Sequence, residues 1–157
     1  VRHYEPEKDA GWMRQWIHAF HMDVFGHQQD RMVENQLSEL ARLPREARGI
    51  VLLFKGEDFV SYAGYGGATT NTMRITNVFT AAAHRGHGYG QLICWYVCRY
   101  LLTPVPAGGL GLRVVAIAAD KAQSSVMGIY QRLGFAETTE FQEYVDQDGF
   151  LAATTMR

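Results

Sequence analysis

A chain of 157 residues, 47% hydrophobic and 20% charged, has the makeup of one ordinary globular domain, residues 1–157, which buries about 68–70% of its unfolded surface. Fifteen Lys and Arg against sixteen Asp and Glu leave a formal net charge of −1, which offers no basic field for nucleic acid or an anionic membrane. No run approaches the ~20 apolar residues of a membrane span and no charged-then-apolar leader opens the sequence, so a cytoplasmic protein is expected.

Val1–Tyr4 reads as a short strand closed by Glu5-Pro6. From Asp9 onward Trp12, Met13, Trp16, Ile17 and Phe20 recur at helical spacing, as do Met32, Val33, Leu37, Leu40 and Leu43. Gly26 separates these two helices and Pro44 ends the second. Gly49–Lys55 and Phe59–Tyr65 flank Gly56-Glu57-Asp58 as a hairpin, and Met73–Thr80 is a further strand. A helix spans Gln91–Leu101; its Cys94 and Cys98 share one face, cannot bond each other comfortably, and suit reduced core cysteines. Leu112–Ala118, nearly continuous in apolar and β-branched residues, predicts a central strand buried on both faces. Asp120 caps a helix over Gln123–Leu133 that Gly134 stops. Glu137–Val145 and Phe150–Met156 then flank Asp146-Gln147-Asp148-Gly149 as a second hairpin. The order β-α-α-β-β-β-α-β-α-β-β predicts an α/β fold of the α+β kind, a mixed sheet with helices on its faces.

The most informative string is His84-Arg85-Gly86-His87-Gly88-Tyr89-Gly90, between a strand and a helix. A glycine-rich turn there aims several backbone N–H groups at one spot, at the positive end of the helix dipole, which is the geometry for gripping a phosphate. A dinucleotide fingerprint is excluded: the glycines at 86, 88 and 90 have the wrong spacing, and no Asp or Glu occurs between Asp58 and Asp120. A nucleotide P-loop is excluded because no Gly-Lys-Ser/Thr ending is present. A turn that merely packs strand against helix stays open.

Taken with Tyr130-Gln131-Arg132-Leu133-Gly134-Phe135, the string resembles the GNAT superfamily of N-acetyltransferases, whose element order runs through essentially the whole chain. The resemblance implies acetyl-CoA as co-substrate. In the family the backbone amides of an Arg-x-x-Gly-x-Gly/Ala loop bind the CoA pyrophosphate, which implies that role for Arg85, Gly86, His87, Gly88, Tyr89 and Gly90, with Gln91 beginning the helix. It also implies a bulge in the preceding strand, pairing of Val78, Phe79 and Thr80 with the pantetheine arm, and a slot for the thioester beside Leu112–Ala118. Downstream, Asn-x-x-Ala-x-x-x-Tyr-x-x-x-Gly-Phe overlays residues 123–135: Tyr130, Gly134 and Phe135 match, whereas Gln123 replaces Asn and Val126 replaces Ala. Ala82 stands where a proline is frequent. By this resemblance Gln123 touches the cofactor and the Tyr130 phenol protonates the departing thiolate. By spacing alone, Tyr130 is a helix aromatic packed on a sheet.

An attacking amine must be neutral, and a lysine-like amine has a pKa near 10.4. Many relatives carry a glutamate on the catalytic strands, but Phe59–Ala119 contains no carboxylate. The base is therefore sought in the N-terminal helices, the C-terminal hairpin, a histidine or held water. Glu140 and Glu143 are candidates, while His84 and His87 suit positioning. The acceptor would enter between the N-terminal helices and the last hairpin, past Trp12, Trp16, Phe20 and Phe25, although their spacing suits core packing for most. The expected acceptor is a small-molecule or peptide amine, with no nucleic acid, membrane or metal; a homodimer is compatible. The alternative is a non-catalytic acetyl-CoA-binding module, suggested by the missing strand glutamate, Gln123 and Ala82.

Overall fold

A computed structural model describes residues 1–27, 30–119, 124–138, 141–145 and 151–156. Helix α1 spans Pro6–Phe25, beginning three residues ahead of Asp9 because proline's fixed φ suits the first helical position. Asp9 is instead a buried brace inside the first turns. Its carboxylate accepts the Glu5 N–H at 2.8 Å and both arms of the Arg2 guanidinium at 2.6 and 2.7 Å. Gly26, at φ +75°, ends the helix in a left-handed cap. Helix α2 covers Asp30–Arg42.

Five strands form one sheet in chain order: β1 (Arg2–His3), β2 (Gly49–Lys55), β3 (Asp58–Gly66), β4 (Thr72–Thr80) and β5 (Val114–Ile117). Neighbours are antiparallel except β4 and β5, which run parallel. Helix α3 (Tyr89–Leu102) connects that parallel pair, as a parallel crossover requires. Helix α4 spans Ser124–Arg132, and β6 (Phe141–Val145) pairs antiparallel with β7 (Leu151–Met156). The turn of this second hairpin, expected at Asp146–Gly149, lies outside the described residues, as does Asp120.

Side-chain alternation splits the core into two layers. Ile50, Leu52, Tyr62 and Phe79 face Met13, Ile17, Val33 and Leu37 of α1 and α2. Val51, Ala63, Met73 and Ile75 face Ile93, Val97 and Leu101 of α3. The expectation of a central, doubly buried strand at Leu112–Ala118 is corrected. β5 is shorter and is the last strand of the five-stranded sheet, with Val114 exposed and Val115–Ile117 half-buried.

Candidate functional site

β4 changes register where it leaves β5. Its pairing with β5 covers only Thr72–Ile75, while its pairing with β3 continues to Thr80. Ala63 lies opposite Val78 and Tyr65 opposite Ile75, so β4 carries one extra residue across from Gly64, a β-bulge at Thr76–Asn77. Gly64 makes room for it: a Cβ there would meet the Thr76 hydroxyl at 2.5 Å. Beyond the bulge the β5-facing edge of β4 is open among the described strands.

Backbone groups alternate along that edge. The Ala81 N–H reaches back to the Val60 carbonyl on β3, so Phe79 also faces β3, while Val78 and Thr80 face the open edge. The Phe79 carbonyl accepts the Ser61 hydroxyl at 2.7 Å, and its buried ring packs on Trp16 and Tyr62. Phe79 therefore adds its ring to the core and turns its backbone groups to β3, while Val78 and Thr80 turn theirs to the open edge.

A short helical turn at Ala82–His84 leads into the loop. Gly86 and Gly88 both lie at φ +79° with nothing within 4 Å of the place a Cβ would occupy. Gly88 is the N-cap of α3, so the helix begins at Tyr89, two residues ahead of Gln91. The first ladder bond is Leu92 N–H to the Gly88 carbonyl at 3.0 Å. The N–H groups of Tyr89, Gly90 and Gln91 precede it and have no partner inside the helix. No acidic residue occupies this first turn, which leaves the positive end of the dipole uncompensated locally. His87 Nδ1 lies 2.8 Å from the Arg85 carbonyl, and its ring stacks on Tyr89.

Tyr130 sits half-buried on α4, its ring edge-on to Phe135 at 6.0 Å. Gly134, at φ +92°, turns the chain so that the Phe135 N–H bonds the Tyr130 carbonyl at 3.0 Å. Burial, and then the nearby Cys94 thiol on α3, raise the phenol above its ordinary value. Cys94 itself is buried and pushed up to about 12, first by burial and then by Cys98. Gln123, Glu140 and the side chain of Glu143 lie outside the described residues.

A cleft of about 330 Å³ opens on the α1/α2 side of the sheet, with Thr76 and Asn77 of the bulge in its wall. Phe20 and Phe25 line it, whereas Trp12 and Trp16 pack against Phe59 in the core. Asn77 Nδ2 donates to Gln36 Oε1 at 3.1 Å, tying the bulge to α2. The cleft also gathers His21, Glu39, Arg48 and Arg74, which sequence reasoning missed because they come from four separate elements and connections with no shared spacing. His21 is 2% exposed, and its Nδ1 has no hydrogen-bond partner among the described residues. Burial, followed by the charges of His18 and His27, lowers its pKa, which keeps the imidazole neutral. Glu39 is paired with Arg48.

Residues 12–135 match the model of the Acetyltransferase (GNAT) family. The chain belongs to the GNAT acetyltransferase family. Its fold is similar to an aminoglycoside N-acetyltransferase solved in complex with CoA, with a TM-score of 0.69 and 13% identity over 93% of each chain. A Vibrio cholerae spermidine N-acetyltransferase chimera gives a TM-score of 0.69 and 13% identity, over 99% of this chain and 93% of that one. No match to a curated protein was found. Within this GNAT fold the Arg85 side chain points away from a phosphate-gripping role. Its Nε donates to the Thr80 carbonyl at 3.0 Å, its guanidinium pairs with Asp23 of α1, and it lies 5.7 Å over the Phe79 ring. Arg85 thus braces the loop against β4 and α1.

Proposed function

We propose that this GNAT domain transfers the acetyl group of acetyl-CoA to an amine by direct attack on the thioester. The observation that carries this reading is one continuous track. The open edge at Val78 and Thr80 runs into the left-handed Gly86 and Gly88 and ends at the uncompensated N-terminus of α3. That track fits a ligand with an amide-bearing arm and a pyrophosphate: the edge supplies strand-like hydrogen bonds and the helix end supplies N–H groups for the anion. Bound there, acetyl-CoA supplies an acyl carbon activated as a thioester.

The chain's own residues supply the rest. Gly86, Gly88 and the first-turn amides of α3 hold the phosphates, and Val78 and Thr80 align the arm. Tyr130 keeps its proton at neutral pH and donates toward the leaving sulfur. The amine's proton passes to water in the cleft, since the His21 Nδ1 is enclosed and Glu39 is committed to Arg48. The structural neighbours named for aminoglycoside and spermidine acetylation support a small-molecule acceptor. Free Cys94 and Cys98 suit a reducing compartment, and we assign the cytoplasm.

Calorimetry with acetyl-CoA, followed by thiol release across a broad amine panel, tests this reading. The expected result is binding plus amine-dependent release of CoA. Binding without turnover of any amine would favour the non-catalytic module, and absence of binding would reject both.

A further inference from the structure

We infer that the cleft beside the β4 bulge selects an amine acceptor that also carries an anionic group, with Arg74 and Arg48 receiving the anion. This inference rests on the acetyl-transfer reading for the fate of the amine, and on the charges of the cleft for everything else. Of the charged side chains lining it, Glu39 is negative, while Arg48 and Arg74 are positive. Glu39, the one carboxylate among the described lining residues, is already spent on Arg48.

Two acids on the neighbouring helices are committed as well: Asp23 holds Arg85 and Glu34 holds Arg14. Asp30 is not among the residues lining the cleft. Arg74 is exposed on β4 and has no acidic partner among the described residues. The two guanidiniums are close enough to feel each other: Arg48 is lowered by burial and then by the charge of Arg74. An excess cation beside a neutral His21 repels the distal ammonium of a diamine and attracts a carboxylate or phosphate.

Arg48 is also fixed in place. It packs so closely over Gly66 that a Cβ there would come within 3.0 Å of its Nε. A guanidinium has five N–H donors in a rigid fork, so pairing with Glu39 leaves donors for a second anion. Arg74 stands three residues before Asn77 on the same strand, roughly 10 Å along it at the rise of a β-strand. An arginine side chain spans much of that distance, which suits an acceptor whose anion and amine are separated by a short chain. Asn77 and Gln36, held to each other at 3.1 Å, flank the route between the two ends.

The test uses matched probes: γ-aminobutyrate and ε-aminocaproate, the diamines putrescine and hexamethylenediamine, and the neutral butylamine and hexylamine. Thiol release with acetyl-CoA measures kcat/KM for each, and calorimetry on protein saturated with CoA measures binding independently of turnover. The amino acids are expected to exceed the matched diamines by at least about tenfold, the worth of one hydrogen bond to a charged group. Arg74→Glu is expected to reverse that order while acetyl-CoA affinity is retained, and Arg74→Gln to level it. Better binding of the diamines, equal binding of all three classes, no binding of any probe, or an order unchanged in Arg74→Glu would each overturn the inference. Arg74-dependent binding of the amino acids with no thiol release supports the charge selection and counts against acetyl transfer instead.

Discussion

The role proposed for Tyr130 depends on the place where α4 ends. Gly134 lets Phe135 fold back on it, and burial on that face raises the phenol above its ordinary pKa of about 10. A raised phenol is always protonated at neutral pH, but it is also a weaker acid. Full transfer to a thiolate of pKa about 8.5 is uphill by more than about 2 kcal/mol. In the proposed reaction the benefit therefore comes mainly from a hydrogen bond to sulfur as negative charge builds, which places the expected rate effect at the low end of general-acid catalysis. Tyr130→Phe is expected to lower kcat by roughly 10²-fold, at the lower bound of the usual range, with acetyl-CoA affinity retained because the bond strengthens chiefly in the transition state. Stopped-flow measurement of single turnovers checks this. A wild-type rate of chemistry in Tyr130→Phe would return the residue to a packing role.

At the scale of elements, the loop into α3 separates backbone strain from ligand space. Gly88 lies at φ +79° with open space at the Cβ position, and Gly56, in the β2–β3 turn, lies at φ +62° with the same open space. A β-branched residue at either position bears a left-handed backbone cost of about 1–2 kcal/mol. Gly88→Val and Gly56→Val should therefore lower denaturation midpoints alike, while only Gly88→Val loses acetyl-CoA affinity, by at least about tenfold. Equal affinities by calorimetry would remove the helix N-terminus from the site. Periodicity made α1, α2 and the β2–β3 hairpin legible, because each depends on neighbours a few residues away. It placed the start of α3 at Gln91, since Gly90 is a poor helix former and masks the first turn that Gly88 caps. An apolar run such as Leu112–Ala118 does not reveal whether it pairs on one side or two, which is a non-local property. Phe79 shows a subtler limit: the bulge at Thr76–Asn77 decides which backbone groups face outward, and that extra residue leaves no mark in composition. The cleft was the least legible part, because Glu39, Arg48 and Arg74 meet only after α2 has docked on the sheet.

Across the whole molecule, the apolar packing of the N-terminal layer on the sheet is supplemented by a buried carboxylate that ties β1 to the start of α1. Asp9 is 1% exposed, caps the start of α1 through the Glu5 N–H and receives the Arg2 fork from β1. Hydrogen bonding from Arg2 is the main cause that lowers its pKa; burial opposes it, and the Glu5 N–H assists. A carboxylate whose pKa is lower in the folded state stabilises the fold above its unfolded value, about 3.9, and that contribution disappears as pH falls through the folded value. Arg2 is 41% exposed, so solvent screens part of the ion pair. The hydrogen bonds to a desolvated carboxylate carry most of the effect, and Asp9→Asn is expected to cost on the order of 1–3 kcal/mol at neutral pH. Urea unfolding of both proteins as a function of pH is the check. The gap between them should be constant above about pH 5 and close below the ordinary carboxylate value. A gap that persists undiminished in acid would mean that lost packing, rather than the charged brace between β1 and α1, accounts for the difference.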